Sequence, residues 1–246
     1  MFHIVQAPFA QLVDKVWPAF RRPVYLADMS SQGILNTYRT ARAACLVIAG
    51  FALAAYPLLR PYSDEETLAG AQAYASTAWV VSHLLAILGF LLIAAAMLFD
   101  VAARPTERGG LRVASTLSGT VAVTLLSLYY GFECFALHEI GRVALAANSA
   151  EGLALADQIR DNPLALTLFG LGWLALGVAV TLWAMALRAG WVPAVFAALV
   201  WLYLPVFFLP PAGRIGHGVL VLLAAAGTAW VINSAAGAPS DRTATG

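Results

Sequence analysis

Four ionisable side chains sit where the surrounding sequence tolerates charge least. His83, Glu133, His138 and His217 each fall within, or at the mouth of, a long apolar run. A charged group at the centre of a bilayer costs about 2.5–3.5 kcal/mol on insertion scales, so each of these residues needs a partner or a task. Four tasks suit the residue types. The imidazoles and the carboxylate can hydrogen-bond across helices and pin them together, each such bond contributing on the order of 0.6 kcal/mol. His83, His138, His217 and Glu133 supply the three or four N/O ligands that zinc prefers, and an open coordination position would make such a site hydrolytic. The same groups can line a cavity that binds or transports a small molecule, exchanging protons or, with Arg142 and Arg214, holding an anion. Two of the histidines can also hold a non-covalent haem b, since no CxxCH attachment motif is present. The simplest expectation is no cofactor at all, with zinc and haem b as the two alternatives.

Helical spacing organises part of this set. In YYGFECFALHEIGR, residues 129–142, Ser127, Gly131, Cys134 and His138 share one stripe, and Tyr130, Glu133, Leu137 and Gly141 the adjacent one. Both stripes can face a bundle interior together. His83 lies about 9 Å below the start of its own apolar run at 1.5 Å per residue. His83, Glu133, His138 and His217 thus share one depth band, with the charges Glu139, Arg142 and Arg214 forming a rim above it. No P-loop, GxSxG elbow, HExxH or dinucleotide fingerprint occurs. Cys134 reads as a small packing residue. Trp79, Trp173, Trp191, Trp201 and Trp230 read as interfacial anchors or lipid-facing packing. Gly170, Gly172 and Gly177 read as points of close helix approach.

The elements that must position these groups are helices in lipid. Of 246 residues, 61% are hydrophobic and 11% charged, against roughly 45–50% and about 25% in soluble domains. Mean hydropathy is +0.79. A net charge of +1 lacks the basic excess of nucleic-acid binders. Six apolar stretches, near 42–59, 77–99, 113–137, 163–187, 191–209 and 214–232, approach the roughly 20 residues that a 30 Å hydrocarbon core requires. The fifth is the weakest, bounded by Pro193, Pro205 and Pro210-Pro211. Backbone groups in lipid must be satisfied internally, which selects helices. The expected fold is therefore an all-α, polytopic transmembrane bundle of six helices.

Basic residues orient it. With the N-terminus inside, ten of the 14 Lys and Arg residues fall in inner segments and four (Arg60, Arg142, Arg160 and Arg214) in outer ones, the bias of cytoplasmic loops. Both termini then lie inside, and the four candidate residues face outward. Residues 1–41 form a cytoplasmic segment in which 9–20 is an amphipathic helix lying in the interface or packed on the bundle. Residues 42–232 form the membrane domain, and 233–246 a small, polar, disordered tail. Ser63 and Glu66 predict a capping box that starts a short outer helix ending near Tyr74. Asn162-Pro163 predicts the N-cap of the fourth span.

Three segments, YYGFECFALHEIGR, FFLPPAGRIGHG and SHLLAILGFLL, resemble a group of uncharacterised bacterial multi-pass membrane proteins. The likeness covers most of residues 40–235 and implies a six-span fold and no activity; the expected location is a bacterial-type cytoplasmic membrane. A cytoplasm-dependent reporter fused after Gly246 should be active, and one that requires export inactive; the reverse pattern overturns the orientation.

Overall fold

The computed structural model describes residues 31–104 and 108–234. By internal contacts the chain divides into residues 1–36 and 37–246. Of the first unit only the opening turns of a helix fall among the described residues; the helix bundle belongs to the second. The expected amphipathic helix at 9–20 and nearly all of the tail lie outside the described residues.

All described elements are helical. In chain order they are α1 (Ser31–Leu59), α2 (Leu68–Tyr74), α3 (Thr77–Ala103), α4 (Gly109–Ala147), a 3-10 turn (Glu151–Leu153), α5 (Ala154–Arg160), α6 (Pro163–Leu187), α7 (Val192–Val206) and α8 (Pro211–Ser234). Five of them, α1, α3, α4, α6 and α8, are long and apolar enough to cross a membrane. The expected fifth span is α7, with only 15 residues, about 22 Å at 1.5 Å per residue. Pro205, inside its last turn, lacks the N–H that would continue the α pattern. The chain goes on through Leu209 in tighter turns, with Phe207, Phe208 and Leu209 donating to the carbonyls three residues back. α7 runs antiparallel to α8, since Leu199 meets His217 and Val192 lies against Gly227.

Local chemistry sets the helix starts. Asn162 caps α6 as expected, accepting from Leu164 N at 3.0 Å and Ala165 N at 3.4 Å, with Pro163 in the first turn. Ser76 caps α3 by accepting from Trp79 N at 3.1 Å. The Ser63 capping box does not form. The short helix begins at Leu68, because Glu65 turns back to arginine partners and Gly70 packs on the backbone of Asp64 and Glu65, where a Cβ would come within 2.5 Å. α4 extends ten residues past its expected end. Leu137, Gly141 and Ala144 are buried along one face of the extension, and a Cβ on Gly141 would come within 2.7 Å of the Ala71 carbonyl of α2. Asn148, with φ +48°, ends the helix in the left-handed conformation that asparagine tolerates.

Between the helices the core is close-packed around Leu46, Phe90, Ile93, Leu126, Trp173 and Trp183. Trp79 and Trp173 are buried rather than lipid-facing, whereas Trp191, Trp201 and Trp230 are exposed. Gly172 lets Leu126 of α4 approach α6, and Gly177 receives the Trp201 indole; Gly170 has open space beside it.

A buried ionic centre lies at one end of the bundle, and no sequence motif marks it. Asp100 of α3 is 0% exposed. It pairs with Arg42 of α1, with Arg112 Nε of α4 at 2.9 Å, and accepts from Trp183 Nε1 of α6 at 3.2 Å. Arg42 Nη2 also donates to the Ile232 carbonyl of α8 at 3.2 Å, and Arg112 reaches the carbonyls of Arg104 and Ala186 at 3.1 and 3.4 Å. Four helices therefore meet at one carboxylate, and Arg42 ties in a fifth, α8. Arg42 and Arg112, which count as loop charges in the sequence, are in fact buried here. Breaking a buried pair leaves an uncompensated charge and costs about 3–5 kcal/mol. Asp100→Ala should therefore lose most of the folded yield in mild detergent. Replacing the trio together (Arg42→Met, Asp100→Leu, Arg112→Met) should recover much of it, as followed by gel-filtration profile and thermal melt. Wild-type behaviour of Asp100→Ala would show that the centre is dispensable.

Candidate functional site

The opposite end holds the second polar network, built from the ends of four helices and one connection. The Ser76 cap starts α3 so that Trp79 and His83 stand one turn apart on one face, their rings 4.4 Å apart. Trp79 is fully buried, and its Nε1 donates to the Glu133 carbonyl of α4 at 2.7 Å. His83 Nδ1 lies 2.7 Å from the Trp79 carbonyl. A carbonyl can only accept, so Nδ1 carries the hydrogen. His83 Nε2 faces Glu133 Oε2 at 3.3 Å. A hydrogen bond across this contact needs one further proton in the pair, on the imidazole or on the carboxyl.

From Glu133, 7% exposed, an alternating chain of charge runs outward. Arg160 of α5 donates from Nε to Glu133 Oε1 at 2.9 Å and from Nη1 to Glu65 Oε2 at 2.6 Å. Glu65 also accepts from Arg60 at 2.9 Å and from the Tyr74 hydroxyl at 3.1 Å. Aromatic faces cover the cations: Arg60 lies 4.8 Å above the Trp79 ring and Arg160 5.2 Å above that of Tyr74. Burial works against the Arg160 charge, but the Glu133 and Glu65 carboxylates outweigh it and hold its pKa above the ordinary arginine value. The Tyr74 hydroxyl is pushed up, by burial first and by the Glu65 carboxylate among the further causes.

Beside this chain is a cavity of about 220 Å³. Arg60, His83, Glu133, Tyr56, Tyr129 and Tyr130 form its polar wall, and Phe169, Leu204, Phe207 and Phe208 its apolar wall. Arg60, Phe207 and Phe208 also border an open bowl of about 790 Å³ lined by Glu65, Arg160 and Arg214. The same three residues thus stand between the surface and the cavity. Phe208 is 88% exposed.

The sequence candidates distribute unevenly over this geometry. His83 and Glu133 meet. His138 is half-buried, with Nδ1 2.9 Å from the Tyr74 carbonyl. His217 Nε2 lies 2.9 Å from the Leu199 carbonyl, in a crevice of about 10 Å³ that shares Tyr56, Arg60 and Phe207 with the cavity. Among the described residues no group of three or more His, Cys, Asp or Glu side chains is arranged to hold a metal ion. Both ring nitrogens of His83 are engaged, so as placed it offers none to a haem iron. In the expected rim, Glu139 and Arg142 are exposed and pair with each other at 3.1 Å. Arg214 donates to the Phe207 and Leu209 carbonyls at 2.6 and 2.9 Å and lies 5.5 Å from the Tyr62 ring. The residues that complete the network are Arg60, Glu65, Tyr74, Trp79 and Arg160. Arg60 and Arg160 are legible in the sequence only as loop charges, and nothing in their spacing marks a common carboxylate partner.

Compared with known proteins, the chain matches no family model, no curated protein and no solved structure.

Hydrogen bonds to charged groups contribute about 1.5–3 kcal/mol each, and a double-mutant cycle isolates that coupling. Glu133→Gln, Arg160→Met and the double variant, unfolded by denaturant in mixed micelles, should show a coupling of this size. Additivity within about 0.5 kcal/mol would mean that the Glu133–Arg160 pair contributes nothing to stability.

Proposed function

We propose that this multi-pass membrane protein binds a small molecule in the cavity beside His83 and exchanges a proton with it through the His83–Glu133 pair. One observation carries the reading. His83 Nε2 and Glu133 Oε2 face each other at 3.3 Å, a contact across which one proton can be held or released, and the pair stands on the wall of a cavity with room for a ligand. An ion network serving only to join helices has no need of such a space, although the Glu133–Arg160–Glu65 links do tie α4, α5 and the α1–α2 connection together. The basic bias of the loops supports a six-span reading in which α7 crosses together with the tight turns through Leu209, both termini are cytoplasmic, and the cavity opens outward.

Proton exchange here involves a limited set of groups. Glu133 is faced by Arg160, His83 and, at longer range, Arg60. A ligand that withdraws the shared proton leaves the neutral imidazole against an ionised Glu133, still compensated by Arg160. The arginine thus makes either protonation state of the pair tenable, which is what a group that gives and takes a proton requires.

Cysteine labelling tests the cavity. In a background of Cys45→Ala and Cys134→Ala, which removes both native thiols, Leu204→Cys should react with a small charged methanethiosulfonate applied from outside. Leu176→Cys, in the packed core, should not. Equal inertness of the two positions would overturn the reading.

A further inference from the structure

We propose that the ligand of this cavity is a small aromatic monocarboxylate, a single ring carrying one anionic acceptor group. The inference rests on the cavity being a ligand site and adds the chemical class of what fills it.

The hydrogen-bond inventory sets the polar end. Glu65 already accepts from Arg60, Arg160 and Tyr74. Glu133 already accepts from Arg160 and faces His83. The donors outnumber these acceptors. Arg60 Nε and Arg160 Nη2 are buried without a hydrogen bond of ordinary geometry among the described residues, and the Tyr130 hydroxyl interacts only with its neighbour Tyr56. Tyr130, only 2% exposed, and Arg60 both line the cavity. A buried donor without an acceptor costs about 1–3 kcal/mol, so the missing component is an acceptor. A ligand that brought only donors would deepen the deficit.

Charge sharpens this to an anion. Three guanidiniums, Arg60, Arg160 and Arg214, stand along the cavity and its bowl; of the facing carboxylates, Glu65 and Glu133 are already paired, and the exposed Asp157 lies 3.9 Å from Arg160. A carboxylate suits that balance, and two oxygens on one carbon match the fork of a guanidinium.

Size and wall chemistry set the remainder of the ligand. An apolar cavity of about 150 Å³ accommodates benzene, so the roughly 220 Å³ here takes one ring plus a small substituent. Three phenylalanines, Phe169, Phe207 and Phe208, belong to the cavity lining. Tyr129 and Phe169 lie 4.2 Å apart between ring centroids, and Phe169 continues to Trp173 and Phe207 at 6.2 and 6.4 Å. These rings pack on one another, and the Phe169, Phe207 and Phe208 side chains that line the cavity can make offset or edge contacts with a ring. The bowl supplies the route: an anion drawn by Arg214 and Arg160 reaches Arg60 at the boundary it shares with the cavity, and the ring passes Phe207 and Phe208.

Fluorine NMR of para-fluorobenzoate with the full chain in nanodiscs tests the proposal. Saturable line broadening should appear with a Kd on the order of 1 mM, ordinary for a ligand this small, and unlabelled benzoate should reverse it. Fluorobenzene, without the carboxylate, should show only the partitioning seen in empty nanodiscs. Arg60→Met should weaken binding by about tenfold, and Tyr130→Phe by a smaller factor. Because Arg60 also pairs with Glu65, Leu204→Trp serves as a second variant that fills the apolar wall. It should abolish binding, while Ala198→Trp on the exposed face of α7 should not. No saturable broadening, fluorobenzene binding as well as the carboxylate, or full binding by Leu204→Trp would each overturn the proposal. If Leu204→Cys is labelled yet para-fluorobenzoate does not bind, the ligand class is wrong and the cavity reading stands. If labelling fails as well, both fall.

Discussion

A charge inside a hydrocarbon-like bundle must find its counter-charge within the protein, and Asp100 meets that requirement for the whole helix set. Its carboxylate takes Arg42, Arg112 and Trp183 at once. The leftover guanidinium hydrogens reach carbonyls on further helices. Desolvating three ions costs several kcal/mol each, and mutual attraction repays this only if the geometry also satisfies their remaining hydrogen-bonding groups. That demand fixes which faces of α1, α3, α4, α6 and α8 meet at this end. An apolar interface between lipid-solvated helices would set no such register, because lipid is as good a solvent as another helix for leucine.

The other end uses the same physics with a looser fit. Glu133, Arg160 and Glu65 alternate in sign from the bundle interior toward the surface, and Arg60 closes the chain back at the cavity wall. The chain stays partly accessible and leaves a cavity beside it. At the Asp100 end the polar groups are sealed among packed side chains. At the His83 end, the polar groups border a cavity and an open bowl. One polar centre holds the bundle together, and the other leaves room for chemistry. The shortness of α7 contributes to that difference: its α geometry stops at Pro205, and the tight turns through Leu209 place Phe207 and Phe208 across the mouth of the cavity.

Close packing between the two centres depends on absent side chains as much as on present ones. Gly172 admits Leu126, and Gly177 the Trp201 indole. Gly141 lets α2 rest against α4, which brings Tyr74 and the Glu65 turn over Glu133. The position of Glu65 within the site is therefore set partly by a glycine on a different helix.

What the sequence determined by itself was set by local physics. Apolar runs long enough for lipid, the Asn162-Pro163 helix start, and the presence of His83 and Glu133 in helices that could meet were all legible, because hydropathy and capping act within a few residues. The pairing of charges was not legible. Asp100 carries no mark that distinguishes it from an acid at a helix end, and Arg42 and Arg112 read as loop charges until α1 and α4 are packed against α3. Arg160, 27 residues from Glu133 and 95 from Glu65, joins them only through the fold. His138 and His217 share the depth of His83 along their helices, yet depth does not determine azimuth, and the structure turns each toward a backbone carbonyl instead. Tertiary structure decided these matters because a Coulombic contact depends on distance in space, and the distance between helices is set by packing that no single segment encodes.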